Sequence, residues 1–142
     1  MKRSMPVQFV ISNILPISIA FFSGIMLMWS LFGNRFRGIK EVDTSAALQL
    51  INHKDAIVLD VRERNEYDAG HVLNAKFIPL GKLKERMGEL EKFKDHPIVV
   101  VCKSGNRSGT ACFLLAKQGF AQAYNLAGGV QAWQKNKLPL EK

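Results

Sequence analysis

An uncharged apolar run near the amino terminus constrains this chain more than any other feature. No charged residue occurs in Val7–Phe32, and the most apolar part is Ile14–Phe32. At a helical rise of ~1.5 Å per residue, that part spans roughly 28 Å, close to the ~30 Å hydrocarbon core of a bilayer. Trp29 lies near its end, where an aromatic ring suits the membrane interface. The sequence therefore predicts one transmembrane helix over residues 7–33, after a tail of residues 1–6.

A signal peptide and a buried core helix are the two alternatives to a membrane anchor. A cleaved signal peptide has an apolar region of ~7–15 residues and a small-residue cleavage site. This run is longer, and Met28–Phe32 is bulky where small residues are needed. A buried core helix would not be apolar on all faces in so small a protein. The membrane anchor fits better than either.

Positive charge is concentrated at the front of the chain. Lys2, Arg3, Arg35, Arg37 and Lys40 supply five of the eight net positive charges, and no acid accompanies them. The remaining residues are close to balanced and contain no dense basic helix with interleaved aromatic residues, so nucleic acid is not an expected partner. Residues 34–40 are predicted to form a basic connector to a domain over residues 41–142.

Beyond the connector, short apolar runs alternate with helix-like segments. The predicted strands are Ile39–Val42, Ala56–Asp60, Ala75–Ile78, Ile98–Val101 and Ala123–Leu126. The predicted helices are Ala46–Ile51 with an N-cap in Asp43–Ser45, Arg64–Ala69 ending at Gly70, Leu83–Phe93, Ser108–Gln118 and Val130–Lys135. This alternation predicts an α/β fold with a small, mainly parallel sheet flanked by helices on both faces. In such sheets, sites lie at the carboxyl ends of the strands.

A cysteine-containing loop lies at one of those strand ends. Cys102-Lys103-Ser104-Gly105-Asn106-Arg107 follows Ile98–Val101 and leads into the helix that begins near Ser108. Backbone N–H groups of such a loop can converge on the sulfur, and the helix N-terminus adds partial positive charge. Both effects lower the pKa of a thiol, so we expect Cys102 to be a partly exposed nucleophile. Lys103 and Arg107 would make the rim of the loop attractive to anions.

The number of cysteines bears on the redox compartment in which the domain lies. Two cysteines cannot form a disulfide framework. Cys112, inside a predicted helix, is most simply a small core hydrophobe. A free reactive thiol is best preserved in a reducing compartment, which favours a cytoplasmic carboxyl-terminal domain on a single-pass plasma-membrane protein. The positive charges on the two sides of the apolar run are nearly balanced and do not decide the orientation.

Three segments resemble the motifs of rhodanese-like domains. Asp60–Ala75 resembles the first signature, D-V-R-x-x-x-E-[FY]-x-x-G-H-[IV]-x-x-A. Cys102–Ser108 resembles the active-site loop, and Asn125–Trp133 resembles the closing L-x-G-G-[VIM]-x-x-W element. The three motifs occur in order at the usual separations and cover about 100 residues. The whole chain resembles small, membrane-anchored, single-domain bacterial rhodaneses.

The resemblance implies sulfane-sulfur transfer. Cys102 would take the outer sulfur of a donor such as thiosulfate or a persulfide and pass it to a thiol or cyanide, in a two-step reaction with no metal or organic cofactor. The length of the loop favours sulfur transfer over phosphate chemistry. Cysteine-dependent phosphatases use C-x5-R, whereas Cys102 and Arg107 form C-x4-R, a narrower ring of N–H donors.

The other motif residues are expected to have mixed roles. The loop and substrate-binding set is Lys103, Ser104, Gly105, Asn106, Arg107 and Ser108. Gly105 would permit a backbone angle that a Cβ hinders, and Arg107 would either bind the donor or brace the loop. The supporting set is Asp60, Arg62, Glu66 and His71, of which the first three would form a structural ion-pair network and His71 a structural hydrogen bond. Ligand spacings for a metal site are absent.

A rival hypothesis accepts the same fold but assigns no enzymatic activity to the domain. The domain could serve as a non-enzymatic docking module at the membrane, or as a redox or persulfide sensor. The intact loop favours the enzyme, since an adaptor does not need Cys102, Gly105 and Arg107 together. The expected partners are therefore a small sulfur donor, a thiol or cyanide acceptor, the lipid bilayer and a membrane-associated protein.

Overall fold

The computed structural model describes residues 5–36 and 38–142. The described residues fall into two compact units, one ending at Phe36 and the other beginning after it. Residues 1–4 of the predicted tail and Arg37 of the predicted connector lie outside the described residues. The predicted domain boundaries stay predictions.

The first unit is helical. It consists of α1 (Met5–Ser12) and α2 (Ile14–Phe36). Backbone hydrogen bonds continue through the turn at Asn13, whose N–H donates to Phe9 and whose carbonyl accepts from Ile17. Pro16 has no N–H to donate and its ring crowds the preceding turn, which accounts for the interruption.

One stretch of α2 is long and apolar enough to cross a membrane. It is Ile14–Phe32, and none of it is buried. That exposure sets it apart from the buried core helix of a soluble protein. An apolar helix near the amino terminus is thus present where the sequence predicts one, and by length and composition it fits a membrane span or a signal sequence.

The second unit contains seven strands and five α-helices. The strands are β1 (Lys40–Val42), β2 (Ile57–Asp60), β3 (His71–Val72), β4 (Lys76–Phe77), β5 (Ile98–Val101), β6 (Ala123–Leu126) and β7 (Leu140–Glu141). The helices are α3 (Thr44–His53), α4 (Arg64–Ala69), α5 (Leu83–Arg86), α6 (Asn106–Lys117) and α7 (Gly129–Lys135), with 3-10 turns at Leu80–Lys82 and Met87–Phe93.

Five strands form one parallel sheet in the order β1-β6-β5-β2-β4. Alternate residues of the central strand β5 enter different apolar clusters: Ile98 and Val100 pack in one, Val99 and Val101 in the other. The first cluster includes residues of α6, and the second includes residues of α3 and α7. Helices therefore cover both faces, which confirms the predicted α/β fold.

Three features of the second unit differ from the sequence-based prediction. The predicted helix Leu83–Phe93 is one α-helical turn followed by 3-10 turns; glycine at position 88 weakens a regular helix there. Helix α6 begins at Asn106, two positions before the predicted start. Strands β3 and β7 form a small antiparallel pair that the sequence does not predict, since two residues carry no readable periodicity.

The start of α7 packs on the strand end that carries the cysteine. The Val130 N–H donates to the Cys102 carbonyl at 2.8 Å, and the Gln131 N–H donates to the Lys103 carbonyl at 3.1 Å. Gly129 makes this approach possible: its φ is +59°, and a Cβ there would overlap the Cys102 carbonyl oxygen and lie 2.6 Å from the Lys103 carbonyl carbon. Helix α7 thus fixes the backbone from which the loop begins.

We predict that Gly129→Ala lowers the free energy of unfolding by about 2–4 kcal/mol, because it adds left-handed strain and a backbone clash. The matched control is Gly88→Ala, whose Cβ meets nothing within 4 Å and which should stay within about 1 kcal/mol of wild type. Urea denaturation of the detergent-solubilised chain, followed by Trp133 fluorescence in a W29F background, measures both. Equal stability of the two variants would contradict the packing described.

Candidate active site

The thiol of Cys102 lies inside a ring of hydrogen-bond donors. Cys102 follows β5, and its Sγ accepts a hydrogen bond from the Gly105 N–H at 3.0 Å. The Ser108 hydroxyl lies 3.3 Å from the same sulfur. The residue is only 1% exposed. The expectation of a partly exposed thiol is therefore wrong, because the loop closes around the sulfur.

The ring changes the acidity of the thiol. Burial alone raises the pKa of Cys102, but hydrogen bonds from the Ser108 hydroxyl and from backbone N–H groups lower it by more. Those N–H groups belong to Ser108, Gly105 and Ser104. The net pKa of Cys102 therefore lies below its ordinary value, as a nucleophilic thiolate requires.

Asn125 is a site residue that sequence reasoning missed. It is buried in β6, its Nδ2 donates to the Gly105 carbonyl at 3.0 Å, and its Oδ1 faces the Ser108 hydroxyl. That hydroxyl has one proton and lies between Oδ1 and the Cys102 sulfur, so it donates to one of them at a time. A thiolate is the stronger acceptor because it is charged. The signal was available: an amide side chain in a strand with apolar neighbours needs a buried partner.

Gly105 occupies the last loop position before α6. Its φ is +106°, in the region that residues with a Cβ rarely adopt. This conformation turns its N–H toward the sulfur while its carbonyl accepts from Asn125.

Arg107 is held by Glu66. The two side chains form a bidentate pair, with Nη1 to Oε2 at 2.7 Å and Nη2 to Oε1 at 2.8 Å. The Arg107 hydrogen bond is the main influence that lowers the pKa of Glu66 to about 2. Both groups are ionised at neutral pH, and Arg107 is anchored to α4.

Asp60 and Arg62 form a separate buried pair. The Arg62 Nη2 lies 2.8 Å from Asp60 Oδ2 and also donates to the Gly70 carbonyl at 2.7 Å. Within the expected network, Asp60 and Arg62 pair directly, whereas Glu66 pairs with Arg107 and interacts with Arg62 only through its charge, which helps to lower the pKa of Glu66.

His71 lies in a structural setting. Its ring stacks on Tyr67 at 3.7 Å between centroids, and its Nδ1 donates to the Tyr67 carbonyl at 3.0 Å. Its Nε2 is 3.4 Å from a Glu141 carboxylate oxygen. These contacts join the end of α4 to the carboxyl-terminal strand β7.

The remaining loop residues are exposed. Lys103, Ser104 and Asn106 have exposed side chains on the rim of the loop. Lys103 also lines a cleft of about 280 Å³ beside the loop, together with Arg62 and Glu66. No cluster of metal-ligand side chains occurs among residues 5–36 and 38–142.

Cys112 contrasts with Cys102. It is buried in the core on α6, and burial raises the pKa of its thiol to about 12. Both cysteines are free. The fold therefore lowers the pKa of one thiol and raises the pKa of the other.

Comparisons with known proteins point to one family. Residues 43–136 match the model of the rhodanese-like domain. A protein of Allochromatium vinosum named sulfurtransferase is 34% identical over 72% of this chain and 94% of its own. The thiosulfate sulfurtransferase GlpE of Pseudoalteromonas translucida is 33% identical over 67% of this chain and 89% of its own. The crystal structure of a rhodanese-related protein from Thermoplasma volcanium superposes with a TM-score of 0.60 at 31% identity, covering 72% of this chain and 97% of that one.

We predict that Ser108→Ala moves the pH midpoint of Cys102 alkylation up by about 1 pH unit, because the thiolate loses one charge-assisted hydrogen bond. Iodoacetamide labelling followed by intact mass measures the midpoint. Ser104→Ala is the control, since Ser104 contributes a backbone N–H and its exposed side chain is replaceable. A midpoint in Ser108→Ala equal to that of the control would contradict the assigned role of the hydroxyl.

Proposed function

Because this chain belongs to the family of rhodanese-like domains, we propose that it is a membrane-tethered sulfurtransferase in which Cys102 carries a sulfane sulfur. The observation that carries the proposal is the ring of hydrogen-bond donors around the Cys102 sulfur. Such a ring stabilises negative charge on sulfur, whether that charge is a thiolate or the terminal atom of a persulfide.

The first half-reaction loads the cysteine. The Cys102 thiolate attacks the outer sulfur of thiosulfate, a new S–S bond forms, and the sulfur–sulfur bond of the donor breaks. Sulfite departs with the bonding electron pair, and the transferred sulfur keeps its negative charge as the terminal atom of the persulfide. No proton, metal or organic cofactor takes part.

The second half-reaction unloads it. A thiolate or cyanide attacks the outer sulfur of the persulfide and forms a bond to it. The bond to Cys102 Sγ breaks, and its electron pair returns to Sγ as thiolate. The N–H groups that stabilise the resting thiolate stabilise this leaving group as well.

The loop cations have separate tasks in this proposal. Arg107 braces the loop, since its guanidinium is already paired with Glu66. Lys103 is exposed on the rim and attracts the donor anion. Ser104 supplies its N–H to the sulfur, Ser108 its hydroxyl and N–H, and Asn106 begins α6.

Neither rival function has a supporting observation of its own. An adaptor does not need a thiol with a lowered pKa inside a ring of donors. A redox sensor that forms a disulfide needs a second reactive thiol, and Cys112, with its pKa raised to about 12, is a poor one. A persulfide sensor would use the same ring of donors as the enzyme, so the ring does not favour it over the enzyme.

We predict that the detergent-solubilised full chain gains the mass of one sulfur atom after incubation with thiosulfate. Cys102→Ser should lose this gain and lower thiocyanate formation from thiosulfate and cyanide to background, because no other thiol is activated. Cys112→Ala, the matched control, should load as wild type does. A pre-reduced protein that gains no sulfur and forms no thiocyanate would contradict the proposed activity.

The membrane location is also part of the proposal. The exposed apolar stretch Ile14–Phe32 supports a single-pass anchor, and the need to keep Cys102 reduced supports a cytoplasmic domain. The tether then brings the sulfur carrier close to a membrane-associated partner.

We predict that protease added to intact expressing cells spares the domain and that protease added to lysed cells digests it. Intact mass of the membrane-extracted protein should include the apolar helix. Digestion in intact cells would overturn the orientation, and a mass lacking the helix would identify a cleaved signal sequence.

A further inference from the structure

The charges of the second unit are unevenly distributed. Residues 76–117 contain nine lysines and arginines against four acids, whereas residues 41–75 contain three against seven. The basic stretch includes α5, the 3-10 turns and α6, whose apolar residues pack in the first of the two core clusters. The acidic stretch includes α3, whose apolar residues pack in the second cluster. The face formed by α5 and α6 is therefore a basic one.

A groove of about 340 Å³ lies on this face, between the end of α5 and the end of α6. It is lined by the half-buried side chains of Met87 and Leu114 and by the exposed side chains of Lys84 and Lys117. The ring of Phe113 is 38% exposed, and the Lys117 ammonium lies 5.4 Å from its centroid. The groove thus joins an apolar floor to two cations and an exposed aromatic ring.

The two lysines of the groove are available to an anion. Helix α6 contains no acidic residue. The glutamates nearest to α5 in the sequence are paired with other cations: Glu85 with Lys82, Glu89 with Arg86, and Glu91 with Lys94. The side chains of Lys84 and Lys117 have no ion pair or hydrogen bond with any residue that the structure describes.

An apolar floor beside unpaired cations suits an amphiphilic anion. A phospholipid has a phosphate for the lysines and methylenes for the floor, whereas an inorganic anion would leave the floor uncovered. Exposed phenylalanine and lysine side chains are typical of surfaces that lie at a membrane interface. A bilayer is also the amphiphilic surface that the proposed anchor Ile14–Phe32 would keep near the domain at a high effective concentration.

We propose that the groove between α5 and α6 docks the domain on anionic phospholipid headgroups. This inference goes beyond sulfur transfer and rests on the proposed membrane location. Lys84 and Lys117 contact lipid phosphates, and Phe113 contacts the first methylenes of the lipid chains. Two cations bind a lipid surface only weakly, but the tether makes the contact intramolecular. The groove then holds the domain in one orientation on the bilayer.

The test uses the full chain in lipid nanodiscs, with Trp29→Phe removing the tryptophan of the apolar helix. Phe113→Trp in this background places a fluorophore beside the groove. Brominated lipid quenches a tryptophan that it contacts, so the Phe113→Trp chain should be quenched more than its parent, whose remaining Trp133 is buried. This excess should appear in discs of phosphatidylcholine with brominated phosphatidylglycerol. It should be lost when brominated phosphatidylcholine is the only lipid.

Lys84→Gln/Lys117→Gln should lower the docking equilibrium constant about tenfold or more, because each lysine near an anionic surface contributes roughly fivefold. The constant follows from the excess quenching as the fraction of phosphatidylglycerol is raised. The matched control is Lys54→Gln/Lys135→Gln, which removes the same charge from exposed positions at the ends of α3 and α7. The control should keep the excess quenching.

Three results in an inserted chain would overturn the docking alone. They are an absence of excess quenching, an excess that Lys84→Gln/Lys117→Gln leaves unchanged, and an equal loss in the control pair, which would indicate attraction by net charge. If excess quenching is absent while Lys84 is protected from acetylation in native membranes, the occupant of the groove is a protein. A chain that does not insert into nanodiscs would overturn the membrane location as well. Failure of sulfur transfer appears separately, as absence of sulfur loading from thiosulfate in detergent.

Discussion

The backbone carbonyls and N–H groups of Cys102–Gly105 must point in opposite directions for the thiol to be surrounded by donors. The carbonyls of Cys102 and Lys103 are held by N–H groups of α7, and the Gly105 carbonyl is held by the amide of Asn125. With its carbonyls bound outside the loop, the backbone directs its N–H groups to the sulfur. The parallel sheet matters because it ends β5 and β6 at the same edge, where these contacts can form.

The same arrangement divides the charged residues into structural and free groups. Glu66 fixes Arg107 to α4, and Asp60 fixes Arg62 beneath the cleft. Strong bidentate pairs of this kind fix the position of the arginine side chain and leave it less available to bind a ligand. Of the two cations in the loop, Arg107 is thus paired and Lys103 is the one that is exposed at the rim.

Local patterns predict most of the fold. The central strand Ile98–Val101 is a continuous apolar run in the sequence, and it lies at the middle of a sheet covered on both faces. The Glu66–Arg107 pair does not follow from spacing, since the partners are 41 positions apart and meet only through the sheet. The burial of the Cys102 thiol is also not predictable from the sequence. The sequence shows which residues make up the loop, but it does not show how closely the loop folds around the sulfur. The role of Asn125 was missed although a polar residue in an apolar strand signalled it.

The loop surrounds a buried thiol with donors and thereby lowers the pKa of Cys102. The most direct measurement is a pH titration of the full chain in detergent with ¹³C-labelled cysteine Cβ atoms, in which both thiols are observed in one sample and assigned with Cys102→Ser. We expect Cys102 to titrate below the ordinary thiol value of about 8.5 and Cys112 to titrate well above it. A Cys102 midpoint at or above that value would show that the ring of donors does not lower the pKa of the thiol.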